Sequence, residues 1–572
     1  MNLAYKQLLK EVLKNKIFIS LMFLLSVFTS FMYFFVHFSI DGNLSSLNKL
    51  SSLTSNELLY RNALLSNTTL ASNILLGFIA LTGFVFGMFF YRFFKKNSKV
   101  LGTLKTLGFK DQSLRLFFVK FCAKLTLLGG ILGLGLSYFA ADVLIQANSR
   151  SYELSGLTKA LSFRSILIGT LLPITVFCLI TFLTYTLLKG KEISLLLSPT
   201  YRLTSNTVWL RVANGITQLV STKDKFSIRL ALRKPITLLL IFISVTSFSI
   251  MFLLAYSLNL SSQTVYHSQT KGHYYLYDTH FLSPQLIDIL PSATMPYIST
   301  QGVLELGSGS LNQQVIGFEQ NSEVFELLDS NGNTIPLPNN GEIVISPALQ
   351  ELYGLNAGDK IPLKIGEKEV TFTISHIAFN ATFNSVYLSV SDLTQLLELP
   401  PHTYTGAWSM KNRFSAGTVI TQAEKQETLE RNFVSNHIGA LINQVMGCVI
   451  GCILLFLALL LNFQDSTRDI LILHLLGYKI PTIRKMLIDL YKPIVWSFFI
   501  ITLWPALVIV KAILRSLSLQ IGDYIPFQTN IFVLIIIFLL LNGLYLLVQF
   551  TFNLGVRGVI KKDSLYEYIN NE

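Results

Sequence analysis

The stretch "LKTLGFK" at residues 104–110 returns as "LHLLGYK" at residues 473–479, with four of the seven positions identical. Arg115 recurs as Arg484 at the same offset, so each feature lies 369 residues from its counterpart. One such match would carry little weight, but two in one register indicate that the chain contains a duplicated unit. We call residues 104–110 corner 1 and residues 473–479 corner 2.

The composition of the chain is that of a membrane protein. Of its 572 residues, 51% are hydrophobic and 13% are charged, whereas about a quarter of the residues in a soluble globular protein are charged. An apolar run of about 20 residues is long enough for a helix to cross a bilayer. Eight runs reach this length and predict eight spans: 17–38, 71–91, 125–147, 165–188, 235–258, 438–463, 493–512 and 531–552.

The net charge of +13 is unevenly distributed along the chain. Residues 260–436 contain 8 Lys+Arg and 17 Asp+Glu, a net charge of −9, so the rest of the chain carries +22. Basic loops between apolar runs are typical of the cytoplasmic side of a membrane protein, not of a nucleic-acid-binding face. With eight spans, this bias predicts cytoplasmic N- and C-termini, an extracytoplasmic region at 260–436, contact with membrane lipids and no nucleic-acid partner.

Both corners lie on the predicted cytoplasmic side, corner 1 after the second span and corner 2 after the sixth. The repeated unit therefore has four spans and the same orientation in both halves, which is a common plan among transporters. The predicted organisation is an interfacial amphipathic helix (1–16), a first four-span unit (17–188) with an outer loop (41–70) and an inner loop (92–124), a cytoplasmic linker with a second interfacial helix (189–234), a fifth span (235–258), an outer domain with a helical stalk (260–436), spans six to eight (438–552) and a cytoplasmic tail (553–572).

The outer region alternates between apolar and polar residues, as β-strands do. It predicts two strands around a turn at 307–310, further strands interleaved with two short helices, and a polar stalk helix at about 421–437 that continues into the sixth span. Three histidines, His267, His273 and His280, are not spaced as in a zinc site. The four cysteines (Cys122, Cys178, Cys448 and Cys452) lie in or beside apolar runs and are expected to pack there. We expect a binding or coupling domain, not an enzyme.

Each corner predicts a helix that ends at a glycine and is followed by a lysine. Gly108 and Gly477 stand where a helix end requires left-handed backbone geometry. An aromatic residue follows each glycine, Phe109 in one copy and Tyr478 in the other. An exposed aromatic beside positive charge is typical of a docking surface. Two matching corners indicate two matching partners or one partner dimer, and the chain has no GxxxxGK[ST] loop with which to bind ATP itself.

The pattern of four spans, with "LxxLGxxxxxxR" leading into the third, resembles the FtsX-like family of ABC transporter permeases, which includes MacB and BceB. The outer stretch "GLNAGDKIPL" at 354–363 resembles the MacB-type extracytoplasmic domain. The resemblance implies an α-helical polytopic membrane protein with eight transmembrane helices in two four-helix FtsX-like repeats, plus one α+β extracytoplasmic domain.

The resemblance also implies partners and site residues. In that family the corner is a coupling helix that contacts a separate ABC ATPase, present as two copies, so ATP and Mg²⁺ are bound by the partner and this chain has no catalytic residue, metal or directly bound cofactor. The implied coupling residues are Leu104, Lys105, Leu107, Gly108, Phe109, Lys110 and Arg115 in the first half, and Leu473, His474, Leu476, Gly477, Tyr478, Lys479 and Arg484 in the second.

The expected function is mechanotransmission in a bacterial plasma membrane, in which ATP hydrolysis by the partner moves the outer domain. Asp142 is the main charge within the spans, and a polar translocation path would need more charged or polar residues. An amphipathic peptide or a lipid-like molecule, handled for efflux or detoxification, fits this pattern. MacB has four spans per chain and BceB has ten, so neither supplies the substrate by analogy.

Two alternatives stay open at this level. The chain could be a signalling or scaffold protein whose outer domain holds a wall enzyme, a sensor kinase or another extracytoplasmic partner, without transport. A substrate pore that imports through the bilayer is a third reading, against which the uncharged spans count.

Overall fold

A computed structural model describes residues 2–189, 215, 232 and 235–561, apart from gaps at 290, 307–308, 320–322, 415–416, 490 and 522–523. Nearly all of the predicted linker (189–234) and residues 562–572 of the predicted tail lie outside the described residues. The chain divides into two compact units. The first comprises Met1–Met251, Val445–Ala506 and Leu534–Glu572, and the second comprises Phe252–Gln444 and Leu507–Val533.

Most of the described residues lie in helices. In chain order they are α1 (Asn2–Lys14), α2 (Lys16–Leu47), α3 (Ser55–Lys96), α4 (Ser98–Thr106), α5 (Asp111–Tyr152), α6 (Phe163–Lys189), α7 (Pro235–Thr270), α8 (Pro347–Tyr353), α9 (Val390–Leu397), α10 (Gln422–Leu475), α11 (Ile480–Arg484), α12 (Tyr491–Ile521) and α13 (Ile531–Lys561). A π-helical turn, Lys485–Asp489, follows α11.

Seven helices in the described part of the chain are long and apolar enough to cross a membrane: α2, α3, α5, α6, α7, α12 and α13. Helix α10 contributes a shorter apolar stretch, Gln444–Leu460. The chain is therefore a multi-pass membrane protein with a separate domain. A count of eight spans depends on α10.

Among the first four long helices, α2 is central and contacts the other three, α3, α5 and α6. Two glycines of α5 allow it to approach α2 closely. A Cβ added at Gly129 would lie 2.8 Å from Ser26 Cβ, and one added at Gly133 would lie 2.7 Å from the carbonyl oxygen of Val27. Small residues four apart are a common means of bringing two membrane helices into backbone contact.

The predicted outer loop at 41–70 is mostly helical. Helix α2 continues to Leu47 and α3 begins at Ser55, so only residues 48–54 connect them. Thr54 and Glu57 form a reciprocal capping box that starts α3 well before the apolar run. The prediction of a loop was wrong because the many serine and threonine hydroxyls here bond to carbonyls one turn back, as Thr68 does to Leu64, and stay within the helix.

The described residues of the second unit form nine strands: β1 (Tyr277–Leu286), β2 (Thr294–Leu306), β3 (Gly309–Phe318), β4 (Glu342–Ile345), β5 (Lys360–Ile365), β6 (Lys368–Ile377), β7 (Ser385–Ser389), β8 (Thr403–Ser409) and β9 (Gly417–Thr421). Their order is β3-β7-β4-β6-β5-β2-β8-β1-β9, and β2 also pairs with β3. Six strands thus form a closed circuit, and β8, β1 and β9 extend it from β2. The predicted hairpin at 307–310 is present as β2 and β3, with Leu306 opposite Gly309.

The short helix at the end of β7 is one of the two that the sequence predicted. Its cap is Ser389, whose hydroxyl accepts a hydrogen bond from the Asp392 backbone amide, so α9 starts at Val390. An acceptor three residues before an amide is the usual N-cap geometry.

The stalk consists of two helices, although the sequence predicted one. Helix α7 continues past its apolar run to Thr270, alongside the first part of α10. Tyr266 donates a hydrogen bond to Glu430 at 3.5 Å, and Asn259 lies 3.0 Å from His437. The hydroxyl- and amide-rich end of α7 resembles a loop in sequence, but its side chains bond back to the helix.

The α2–α5 contact predicts a difference between two glycines of α5. Gly133→Ala should destabilise the protein by about 1–3 kcal/mol, because the added methyl group meets backbone atoms of α2 that cannot move aside. Gly135→Ala is the matched control, since a Cβ there has nothing within 4 Å. Thermal unfolding of the two variants in the same detergent measures this, and equal midpoints would contradict the close packing of α2 on α5.

Candidate functional site

Corner 1 is a tight helix end built on a left-handed glycine. Gly108 has φ +88°. Its amide donates to the Lys105 carbonyl at 3.0 Å, and the Phe109 amide donates to the Leu104 carbonyl at 3.1 Å. These two bonds satisfy carbonyls that the end of α4 would otherwise leave unpaired, which is the Schellman arrangement. Lys110 then takes an extended conformation and starts α5.

Corner 2 repeats this geometry bond for bond. Gly477 has φ +86°. Its amide donates to the His474 carbonyl at 3.0 Å, and the Tyr478 amide donates to the Leu473 carbonyl at 3.1 Å. Lys479 is extended, as Lys110 is, and starts α11. The two heptads therefore encode the same backbone turn.

The helices that lead into the two corners differ. Corner 1 follows α4, a helix of 9 residues that is separated from α3 by Asn97. Corner 2 follows α10, which runs for 54 residues without a break. The predicted helix is therefore present before each corner, but the two helices differ in length.

The predicted coupling residues fall into two groups by exposure. The apolar residues that reach the surface most are Leu107, 70% exposed, and Leu476, 68% exposed. Tyr478 is 42% exposed, whereas Phe109 is partly covered. Phe109 is therefore less exposed than predicted, although both aromatic residues follow the same backbone turn. Also exposed are Gly108, Lys110, His474, Gly477 and Lys479, while Leu104 and Leu473 are partly buried.

The charged side chains of Lys105, Arg115 and Arg484 have partners within the described part of the chain. The Lys105 ammonium lies 2.7 Å from the Asp111 carboxylate, and its side chain is only 12% exposed. The Arg115 guanidinium lies 4.1 Å above the Phe182 ring. Arg484 lies 3.6 Å from Asp489 in the π-helical turn. These three side chains hold the corners in place through contacts within the chain. The most exposed apolar surface of each corner is a leucine, Leu107 or Leu476, and we call these two residues the corner tips.

The domain of residues 260–436 holds a buried histidine and a partly buried lysine where helices α7 and α10 join the sheet. His273 Nε2 donates to the Asn380 carbonyl at 3.1 Å, and His273 Nδ1 lies 3.3 Å from the Tyr275 hydroxyl. Burial, together with the positive charge of Lys425, lowers the pKa of His273 to about 3. Burial likewise lowers the pKa of Lys425, in the first turns of α10, to about 8. His273 is therefore neutral in the folded domain at ordinary pH.

The same part of the domain holds the ends of both stalk helices, α7 and α10, through hydrogen bonds. The Asn380 amide donates to the carbonyls of Lys271 and Glu326 at 3.1 and 2.6 Å. The Gln422 backbone amide, at the start of α10, donates to the Leu276 carbonyl at 2.9 Å. Both helices therefore enter the sheet without a flexible linker.

A buried polar cluster lies between α2 and the start of α6, and the sequence reasoning missed it. Asp41 Oδ1 lies 2.9 Å from His37 Nδ1, and Asp41 Oδ2 accepts from the Ser162 amide at 2.8 Å. Ser165 Oγ also lies 3.1 Å from His37 Nδ1. Asp41 follows the predicted first span, so it was assigned to a loop. The His37–Asp41 spacing of four residues on a continuous helix was the available signal.

Asp142, the acidic residue noted within the spans, has a partner in the structure. Its carboxylate lies 2.6 Å from the Lys159 ammonium and is 56% exposed. The same ammonium lies 4.1 Å above the Tyr138 ring. Asp142 therefore belongs to a partly exposed ion pair.

Residues 73–193 match the model of the FtsX-like permease C-terminal domain. The chain carries an FtsX-like permease domain. The match extends from α3 to just past α6 and includes corner 1, and it confirms the family resemblance drawn from the heptads. FtsX-like permeases are membrane subunits of ABC transporters, which in general work with an ABC ATPase. No curated protein matches the chain.

The lowered pKa of His273 predicts an acid sensitivity of the outer domain. The unfolded chain binds a proton here below about pH 6.5 and the folded domain only near pH 3, so stability falls by up to about 1.4 kcal/mol per pH unit between these values. His273→Gln should reduce this slope. Trp408 fluorescence during denaturation, with the other three tryptophans replaced by phenylalanine, measures it. His376→Gln, at an exposed position on β6, is the control, and equal slopes would contradict the prediction.

Proposed function

We propose that this chain is the permease subunit of an ABC transporter of the mechanotransmission type, with its two corners docked on two copies of a separate ABC ATPase. The observation that supports this most directly is the identity of the two corners. They share both capping hydrogen bonds and the glycine torsion angle, and corner 1 lies inside the FtsX-like segment. One surface shape presented twice fits a partner that is present twice.

In this proposal the chain has eight spans in two four-helix repeats, with α10 supplying the sixth span. Both corners and both termini face the cytoplasm, in keeping with the basic segments at 92–124 and 189–234. ATP and Mg²⁺ are bound by the partner ATPase. This chain contributes the docking surface and the moving helices.

Continuous helices supply the connection from membrane to outer domain. Helices α7 and α10 each have residues in both compact units. Helix α10 starts at Gln422, directly after β9, and β9 pairs with β1, which follows α7. A shift of α10 against α7 is therefore a shift of β9 against β1. ATP-driven movement of the corners would reach the sheet by this route.

We propose efflux or detoxification of an amphipathic peptide or a lipid-like substrate as the output. The predicted spans contain one acidic residue, Asp142, and it is paired with Lys159. A polar path across the bilayer normally needs inward-facing charges or their partners. The outer domain has a net charge of −9 over residues 260–436 and exposes apolar side chains such as Leu282. Both properties suit an amphipathic molecule at the outer leaflet.

Docking is tested by placing charge on the corner tips. Leu107→Glu combined with Leu476→Glu should weaken association with the ABC ATPase by about 2 kcal/mol or more, roughly 30-fold in Kd, because both side chains are expected to be buried in the interface. Co-purification and titration of the ATPase against the reconstituted chain measure this. Leu282→Glu, at an outer-domain residue that is 88% exposed, is the matched control. Unchanged affinity in the double variant would sink the docking assignment.

Movement of the stalk is tested by joining its two helices. In a chain without its four native cysteines, Asn259→Cys and His437→Cys place thiols at a contact between α7 and α10. A short bifunctional thiol reagent should abolish ATP-dependent change in the outer domain, followed by spin-label distances, and leave ATPase association intact. Each single variant with the same reagent is the control. Full movement in the cross-linked protein would argue against transmission through the stalk.

A further inference from the structure

The two corners share one backbone turn but are held in different ways. We propose that Asp111 is a positioning residue that fixes corner 1 to helices α4 and α6, and that corner 2, where an isoleucine stands at the corresponding position, is the compliant one. The two ATPase contacts are then mechanically unequal. This inference rests on the proposed function, because it assigns different roles to the two docking surfaces.

Asp111 joins three helices at corner 1. Its Oδ1 atom lies 2.7 Å from the Lys105 ammonium of α4 and accepts a hydrogen bond from the Tyr185 hydroxyl of α6 at 3.3 Å. Asp111 itself is the first residue of α5, where a carboxylate is favoured by the helix dipole. The Lys105 and Asp111 side chains are 12% and 30% exposed, so water screens the pair only in part.

A second contact supports corner 1 one turn further along α5. The Arg115 guanidinium lies 4.1 Å above the ring of Phe182 in α6. A guanidinium in this position is attracted to the face of the ring. Corner 1 is therefore bound to both α5 and α6, and a displacement of the corner displaces both helices.

The residues that form this support at corner 1 are not repeated at corner 2. The positions 369 residues after Lys105, Asp111 and Tyr185 are His474, Ile480 and Leu554. An isoleucine cannot accept the ion pair and a leucine cannot donate the hydrogen bond. The backbone turn is retained while the polar contacts that hold it are replaced.

The support in the second half lies beyond the corner, in the π-helical turn Lys485–Asp489. Asp489 there pairs with Arg484 and accepts a hydrogen bond from Gln549 of α13. A π-helical turn interrupts the regular ladder of a helix and often occurs at functional sites. Corner 2 is thus bounded by the continuous α10 on one side and by an irregular turn on the other.

This difference assigns the two corners separate tasks. Corner 1 carries the movement of its ATPase copy into α5 and α6 as one body. Corner 2 is the end of α10, and α10 begins at the first residue after β9. Corner 2 can turn about the π-helical segment and pass movement along α10 alone.

Hydrogen exchange of the full chain in lipid nanodiscs, without ATPase, tests the support directly. The amides of Gly108 and Phe109 should exchange about fivefold more slowly than those of Gly477 and Tyr478, as expected for a partly buried ion pair and one added hydrogen bond. Asp111→Asn should bring corner 1 to the rate of corner 2, whereas Asp111→Glu should keep most of the protection. Glu398→Gln, which removes a 2.6 Å ion pair with Lys368 in the outer domain, is the matched control.

The converse variant transfers the pair to the second half. His474→Lys with Ile480→Asp places a lysine and a carboxylate at the positions that are 2.7 Å apart in corner 1, on a backbone of the same geometry. The exchange of corner 2 should slow about fivefold, which a variant that merely unfolds cannot mimic. Equal exchange at the two corners of the native chain, or no response to Asp111→Asn, would overturn the proposal.

A coupling measurement separates this role from a purely structural one. With the ATPase bound, Asp111→Asn should raise the ATP consumed per movement of the outer domain by about fivefold and leave the KM for ATP unchanged. If the exchange results hold and no ATPase binds, the proposed function fails and the unequal support stands. If the ATPase binds and both corners exchange alike, the proposed function stands and this inference fails.

Discussion

A glycine in the left-handed region ends a helix at both corners, and the helix that follows each corner can begin where it does only because of that turn. The last carbonyls of a helix need donors, and a residue with a side chain resists the torsion angle that supplies them. Gly108 and Gly477 adopt this torsion angle without strain, with φ +88° and +86°. The chain can then reverse within a few residues and send α5 and α11 back from the corner. Without this turn neither corner would present a compact tip.

The elements that follow from local chemistry were predictable from the sequence. The apolar runs, the glycine turns and the alternating strands each carry a strong local pattern, and the structure contains them. The C-terminal ends of α2 and α7 were not predictable, because serine, threonine and asparagine are as typical of loops as of helix ends. Whether their hydroxyls bond to the helix depends on what packs beside it. At the C-terminal end of α2, a hydrophobic cluster packs beside the helix and contains Ile40, Leu47, Tyr60 and Leu64.

The candidate site shows the same division. The residue types of the corners were evident from the repeated heptads, but their directions were not. From the sequence alone, the Lys105 side chain could equally have pointed to the surface. The Asp111 carboxylate, six residues later and across the turn, binds the Lys105 ammonium and directs it inward. The His37–Asp41 cluster was missed because Asp41 was assigned to a loop and because Ser162 and Ser165 come from a distant part of the chain. Contacts between distant segments leave no mark in a local pattern, whereas capping and periodicity do.

The unbroken course of α10 places a constraint on the length of the protein. At 1.5 Å per residue its 54 residues extend about 80 Å. Every residue also turns the helix by about 100°. Insertion of a single residue would therefore rotate the last side chains of α10 by more than a quarter turn about the helix axis relative to its first residues, whereas seven added residues would nearly restore the angle while lengthening the helix by about 10 Å. Gain or loss of residues in α10 therefore changes the direction of its last side chains least when it comes in whole turns of the helix.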